Sequence, residues 1–193
     1  MRQELQSFSD DYEMWQSFKA GSEEAFDRIY NDHFSRLYGY GTRLCPDKAL
    51  VKDCIQNLFV DLWKSKARLG DVHSIRHYLF YSLRRSILKE INAEKKYLHP
   101  DELPANYNFE VTFSHEHLLV HDQLTVENHQ RLGKAFDLLT RRQKEAIFLR
   151  FYENLEYAQI TEIMSLKEVK YARTLVYRAL DVLKASIRKL ASI

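Results

Sequence analysis

Cysteine, proline and glycine are all scarce in this chain, with two, three and five among 193 residues. The two cysteines, Cys45 and Cys54, form no CxxC pair and have no histidine at ligand spacing, so neither a disulfide framework nor a zinc site is indicated. Cys54 falls on an apolar helical stripe and is expected to be a buried thiol. No run of about eighteen apolar residues occurs, which excludes a membrane-spanning helix. The N-terminal stretch MRQELQSFSDDYEMW is polar and acidic, without the basic start and apolar run of a secretory signal, so the protein is expected to stay in the cytoplasm. Also missing are a Gly-Lys-Ser/Thr phosphate loop, a GxSxG elbow, an HExxH pair and an EF-hand run. His73 and His77 stand four apart, and His115, His117 and His121 cluster further on, but neither set has a cysteine or a clear carboxylate partner, and no metal site is expected. With no convergent nucleophile, base and oxyanion donors, no catalytic residue and no cofactor are assigned, and the chain is not expected to be an enzyme.

What the chain does contain is 45% apolar and 29% charged residues, the profile of a helix-rich globular protein. The net charge of +2 is unevenly distributed. Residues 1–63 carry about −4, residues 64–99 about +6, residues 100–130 about −6 and residues 131–193 about +6. Two basic blocks separated by an acidic connector suggest contacts with nucleic acid.

Helical periodicity organises most of the sequence. Ser22 is placed to cap a helix that begins with Glu23 and Glu24 and runs to about Leu44, its end weakened by Gly39 and Gly41. Leu50, Val51, Cys54, Ile55, Leu58, Phe59, Leu62 and Trp63 recur at spacings of three and four, an amphipathic helix with Pro46 expected in its first turn. Gly70 and Asp71 interrupt, and Ser74 is a cap for a basic helix with Ile75, Tyr78, Leu79, Leu83, Ile87 and Ile91 facing a core. From His99 to about Thr125 the periodicity fades around Pro100 and Pro104, apart from a short helix expected near FSHEHLLVHDQL. The segment reads as a linker between two domains.

Beyond it, Thr140 can cap RRQKEAIFLRFYE, followed by YAQITEIM, a tight connection at Ser165 and Leu166, and a long helix starting near Lys167. This is the layout of a helix-turn-helix. Ile160, Ile163 and Met164 are expected to pack on Val169, Leu175 and Val176, leaving Lys170, Arg173, Thr174 and Arg178 outward. Arginine and lysine on such a face can donate to guanine in the major groove and neutralise phosphates.

LLTRRQKEAIFLRFYENLEYAQITEIMSLKEVKYARTLVYRALDVLK resembles the fourth domain of sigma factors of RNA polymerase. LVKDCIQNLFVDLWKS followed by HSIRHYLFYSLRRSILKEI resembles their second domain. The two blocks stand in the order of the extracytoplasmic-function group of the sigma-70 family, and the likeness runs from about Phe18 onward. It departs from the family at Asn57 (usually acidic), Arg85 (usually Asn), Asn92 (usually Arg), Thr140 (commonly Pro) and Gln159 (commonly Glu), which bears on individual contacts rather than on the helix pattern.

The resemblance implies an all-α chain of two small helical domains joined by a flexible linker: domain two over 1–98, an acidic linker over 99–125, and a helix-turn-helix domain four over 126–193. It implies that Asp53, Gln56, Asn57, Asp61, Trp63 and Lys64 bind core polymerase. Arg76, Phe80, Tyr81, Arg84, Arg85 and Lys89 would take the minus-ten element, with phosphate neutralisation by the cations and base stacking on Phe80 or Tyr81. Lys167, Lys170, Tyr171, Arg173, Thr174 and Arg178 would read the minus-thirty-five element. The expected partners are RNA polymerase core and promoter DNA, with an anti-sigma factor as an optional third, and the expected activity is promoter selection and assistance to DNA opening. The competing reading is a helix-turn-helix regulator that binds palindromic duplex alone, as a dimer, without polymerase.

Overall fold

The computed structural model describes residues 2–93, 107–110 and 133–191, and among them the regular structure is helical throughout. The chain divides into two compact units, Met1–Tyr107 and Asn108–Ile193. The linker expected over 99–125 and the short helix inside it lie outside the described residues, apart from 107–110. That short piece is not bare tether. Tyr107 and Phe109 are buried, and Phe109 sets its ring edge-on to Phe148 of the second unit, centroids 5.6 Å apart.

Among the described residues the first unit holds four α-helices: α1 (Arg2–Lys19), α2 (Glu23–Leu44), α3 (Lys48–Ser65) and α4 (Ile75–Ala93). Ser22 caps α2, its side chain accepting from the Ala25 N–H. Asp47 caps α3, accepting from Ala49 and Leu50, which puts Pro46 one residue before the cap rather than inside the first turn. Aspartate is the better cap, and proline's fixed φ suits the position ahead of it equally well.

Helices α2, α3 and α4 pack against one another in all three pairings. Gly41 lies at their closest approach: a Cβ built there would come within 2.6 Å of Val51 Cγ1 and 3.2 Å of Ile87 Cδ1. The glycine that reads as a weak helix end is therefore a packing requirement, and α2 continues through it to Leu44. Helix α1, which the periodicity does not announce, seals the unit with Trp15 and Phe18, both fully buried. Both cysteine thiols are buried, and burial pushes the Cys54 pKa up.

In the second unit a helical stretch over 133–137 precedes α5 (Arg141–Ile147), which opens on a capping box of Thr140 and Gln143. A π-helical turn, Phe148–Tyr152, follows directly. Helix α6 (Tyr157–Ile163) and helix α7 (Val169–Ala191) form the hairpin, and Ser165 between them takes a φ of 51°. Ile160, Ile163 and Met164 are buried as expected. Of the partners expected on α7, Val176 is buried and Leu175 half-buried, but Val169 is 37% exposed, and Ala172 and Ala179 are buried alongside Val176. The helix starts two residues later than Lys167, so Val169 is its first residue, and the alanines let α6 and α7 approach closely.

Candidate polymerase and nucleic-acid interfaces

The sites proposed from sequence fall on three helices, and the structure treats them differently. On α3, Asp53, Gln56, Asn57, Asp61 and Lys64 are all exposed, while Trp63 is half-buried. They share a face because residues three and four apart stack along a helix. Trp63 packs its ring on Phe26 of α2 at 5.0 Å, and Lys66 Nζ sits 3.9 Å from the ring centroid in a cation–π contact. Beside this face runs a groove of about 510 Å³ between α2 and α3. Phe26, Tyr30, Phe34, Ile55, Phe59, Val60 and Trp63 line it, with Lys52, Gln56 and Lys64 among the same lining residues. Tyr30 and Val60 are exposed in its walls. An apolar trough edged by polar side chains suits a helix from another protein. Periodicity could not reveal it, because Phe26, Ile55 and Phe59 read simply as core.

On α4 the sequence reasoning needs two corrections. Phe80 is fully buried, 5.0 Å from the Tyr40 ring of α2, and cannot stack on a base from there. Arg84 is only 3% exposed, so a phosphate cannot reach its guanidinium as the unit is folded. Both follow from α4 packing on α2 and α3 at once, which buries a wider arc than an amphipathic helix with one neighbour would lose. Arg76 is half-buried, and Tyr81, Arg85 and Lys89 are exposed. These last three run in an i, i+4 line along α4. His77 continues the line one turn earlier, its ring 6.4 Å from Tyr81.

On the second unit, Lys167, Lys170, Tyr171, Arg173, Thr174 and Arg178 are all exposed. Lys170 Nζ pairs with Glu168 at 2.8 Å, and the Thr174 hydroxyl donates back to the Lys170 carbonyl, leaving its oxygen free to accept. Three residues not foreseen join this face. Tyr157, at the start of α6, carries the guanidinium of Arg150 at 5.1 Å and that of Arg173 at 5.6 Å from its ring centroid. Tyr177 is 57% exposed, one turn beyond Arg173, with its ring 6.5 Å from Tyr157. The i, i+4 spacing of Arg173 and Tyr177 was available in the sequence. The Arg150–Tyr157 contact was not, since it depends on the bend after α5.

Among the described residues no group of three or more His, Cys, Asp or Glu is arranged to hold a metal, and no helix is long and apolar enough to cross a membrane.

A family model described as Sigma-70 region 2 matches residues 29–97, a span that contains α3, α4 and all the groove's lining except Phe26. The chain is 24% identical over 140 residues to the ECF RNA polymerase sigma factor SigK of Mycolicibacterium vanbaalenii, covering 72% of this chain and 70% of that protein. Over most of its length the chain is thus similar to sigma factors of the extracytoplasmic-function group. The SigK of Mycobacterium sp. strain KMS is 22% identical over 143 residues, 74% of this chain and 72% of that relative. A solved structure of CnrH in complex with the cytosolic domain of CnrY superposes with a TM-score of 0.57 at 16% identity, over 93% of this chain and 97% of CnrH, and shows the same fold. These likenesses favour a role in transcription initiation over a stand-alone regulator.

Proposed function

We propose that this protein is a sigma factor that binds core RNA polymerase through the polar face of α3 and the adjoining α2–α3 groove, and that it catalyses no reaction of its own. The line of Tyr81, Arg85 and Lys89 on α4 takes the minus-ten element, with Tyr81 as the stacking ring in place of Phe80. The outward face of α7 reads the minus-thirty-five element, Lys170, Arg173 and Thr174 nearest the bases and Arg178 nearer a phosphate, since the first turns of a recognition helix enter the groove. The observation that carries the reading is the exposed row Asp53, Gln56, Asn57, Asp61 and Lys64 beside an unfilled aromatic trough, inside the segment that matches Sigma-70 region 2. CnrH is held by the cytosolic domain of CnrY. A partner of that kind, an anti-sigma factor, would compete with polymerase by covering the same trough.

The test is core binding and promoter-directed transcription with purified components. Replacing Asp53, Gln56 and Asp61 together by Ala is expected to weaken core binding at unchanged helicity. Full core binding by a folded triple variant would reject the assigned face.

A further inference from the structure

Residues 69–74, between the short 3-10 turn Lys66–Arg68 and α4, have no helical structure of their own. Helix α1 supplies what holds them. The Trp15 indole N–H donates to the Gly70 carbonyl at 2.9 Å. Gln16 Nε2 and Lys19 Nζ both donate to Asp71 Oδ1, at 2.7 and 2.8 Å. Asp11 Oδ2 accepts from the Ile75 N–H at 3.3 Å, so α1 also caps the first turn of α4. The Trp15 ring lies 5.4 Å from that of Tyr78, joining α1 to the body of α4 as well. All these hydrogen bonds cross more than fifty residues of sequence.

We propose that α1 is a latch on the connection between α3 and α4, and that Trp15 and Asp71 are positioning residues for promoter opening. The proposal rests on the reading of α4 as the minus-ten helix. The connection leads straight into α4, and wherever it wanders the first turn of α4 and the line through Tyr81 must follow. Holding an opened strand requires a surface already in place, because ordering the protein at that moment subtracts from the binding that keeps the strands apart. The two halves of the latch differ in kind. Trp15 is fully buried, so its N–H has few alternative partners although the Gly70 it donates to is exposed, whereas Asp71 is 60% exposed and its bond to Lys19, which holds its carboxyl below the ordinary range, is open to salt. Trp15 carries the larger share.

Trp15→Phe keeps a ring and removes only the donor; Asp71→Asn keeps the shape and removes the charge. Each full-length variant, with helicity checked, is combined with core polymerase on one promoter in two forms, fully duplex and with a mismatched minus-ten bubble. Opening of the duplex form is read by permanganate reactivity or by 2-aminopurine placed in the element, and use of the bubble form, which is already open, by transcript yield. Trp15→Phe is expected to reduce opening of the duplex form by roughly two- to tenfold, the worth of one hydrogen bond, and to leave use of the bubble form within about twofold. Asp71→Asn is expected to do the same more weakly, and exchanging the pair as Lys19→Asp with Asp71→Lys to restore part of the loss. Unchanged duplex opening in Trp15→Phe, or an equal loss on both templates, overturns the latch. A wild-type protein that supports transcription from neither template with core overturns the sigma reading, and the latch with it.

Discussion

His33 on α2 has its Nδ1 buried without a hydrogen-bond partner. Burial lowers its pKa from 6.5 to about 4, the positive charges of Arg76 and Arg36 push the same way, and Asp32 opposes them. The folded imidazole therefore refuses a proton that the unfolded chain accepts below about pH 6.5. Its contribution to stability is complete above that pH and is lost as pH falls from 6.5 toward 4. Asp11, whose pKa is raised by burial, works the other way in the acid range, since its folded carboxyl takes up a proton more readily than the unfolded one. The melting temperature should thus fall between pH 7 and pH 5, before the carboxylates titrate, and His33→Gln should flatten that fall. An equal slope in the variant would show that His33 is not the group responsible. Nothing in the sequence around His33 signals this behaviour, which needs the Arg76 side of α4 brought against α2. Phe80 and Tyr81 teach the same lesson at the site: both read as ring donors, and only the packing of α4 on two neighbours separates the buried one from the available one.

At the scale of elements, the hairpin of α6 and α7 turns on Ser165, whose φ of 51° lies in the left-handed region. Such a backbone costs an L-residue roughly 1–2 kcal/mol, more when the side chain is β-branched. Ser165→Val should destabilise the second unit by about that amount, while Ser165→Gly should be neutral or mildly stabilising. Both tryptophans, Trp15 and Trp63, belong to the first unit, so urea unfolding followed by tryptophan fluorescence should not move while the circular dichroism transition does. A Ser165→Val variant with unchanged unfolding would remove any special role for this turn. The existence of the hairpin was legible from the apolar spacing of Ile160, Ile163 and Met164. Its start was not, because Lys167 and Glu168 suit a helix as well as a loop, and the later start makes Val169 the first residue of α7.

For the whole molecule, the boundary between the units matters more than their separate folds. Phe109 is fully buried against Phe148, and the second compact unit reaches back to Asn108. A fragment of residues 108–193 should be more stable than one of residues 126–193, by about the 3–5 kcal/mol that loss of a core phenylalanine costs. Equal melting temperatures for the two fragments would show that the Phe109 seat contributes nothing. The acidic, proline-bearing composition around Phe109 hides it, since a single aromatic residue has no periodicity of its own. The sequence by itself determined the helical class, the caps at Ser22, Thr140 and Ser74, and the outward face of α7. Each of these is written in local signals, namely apolar spacing of three and four, a cap residue, or a run of cations. Tertiary structure alone decided that Gly41 admits α3, that α1 holds the connection into α4, that Phe26, Phe59 and Trp63 leave a trough, and that Phe80 and Arg84 are out of reach. Those are contacts between residues far apart in sequence, and their sign depends on how many neighbours each helix has.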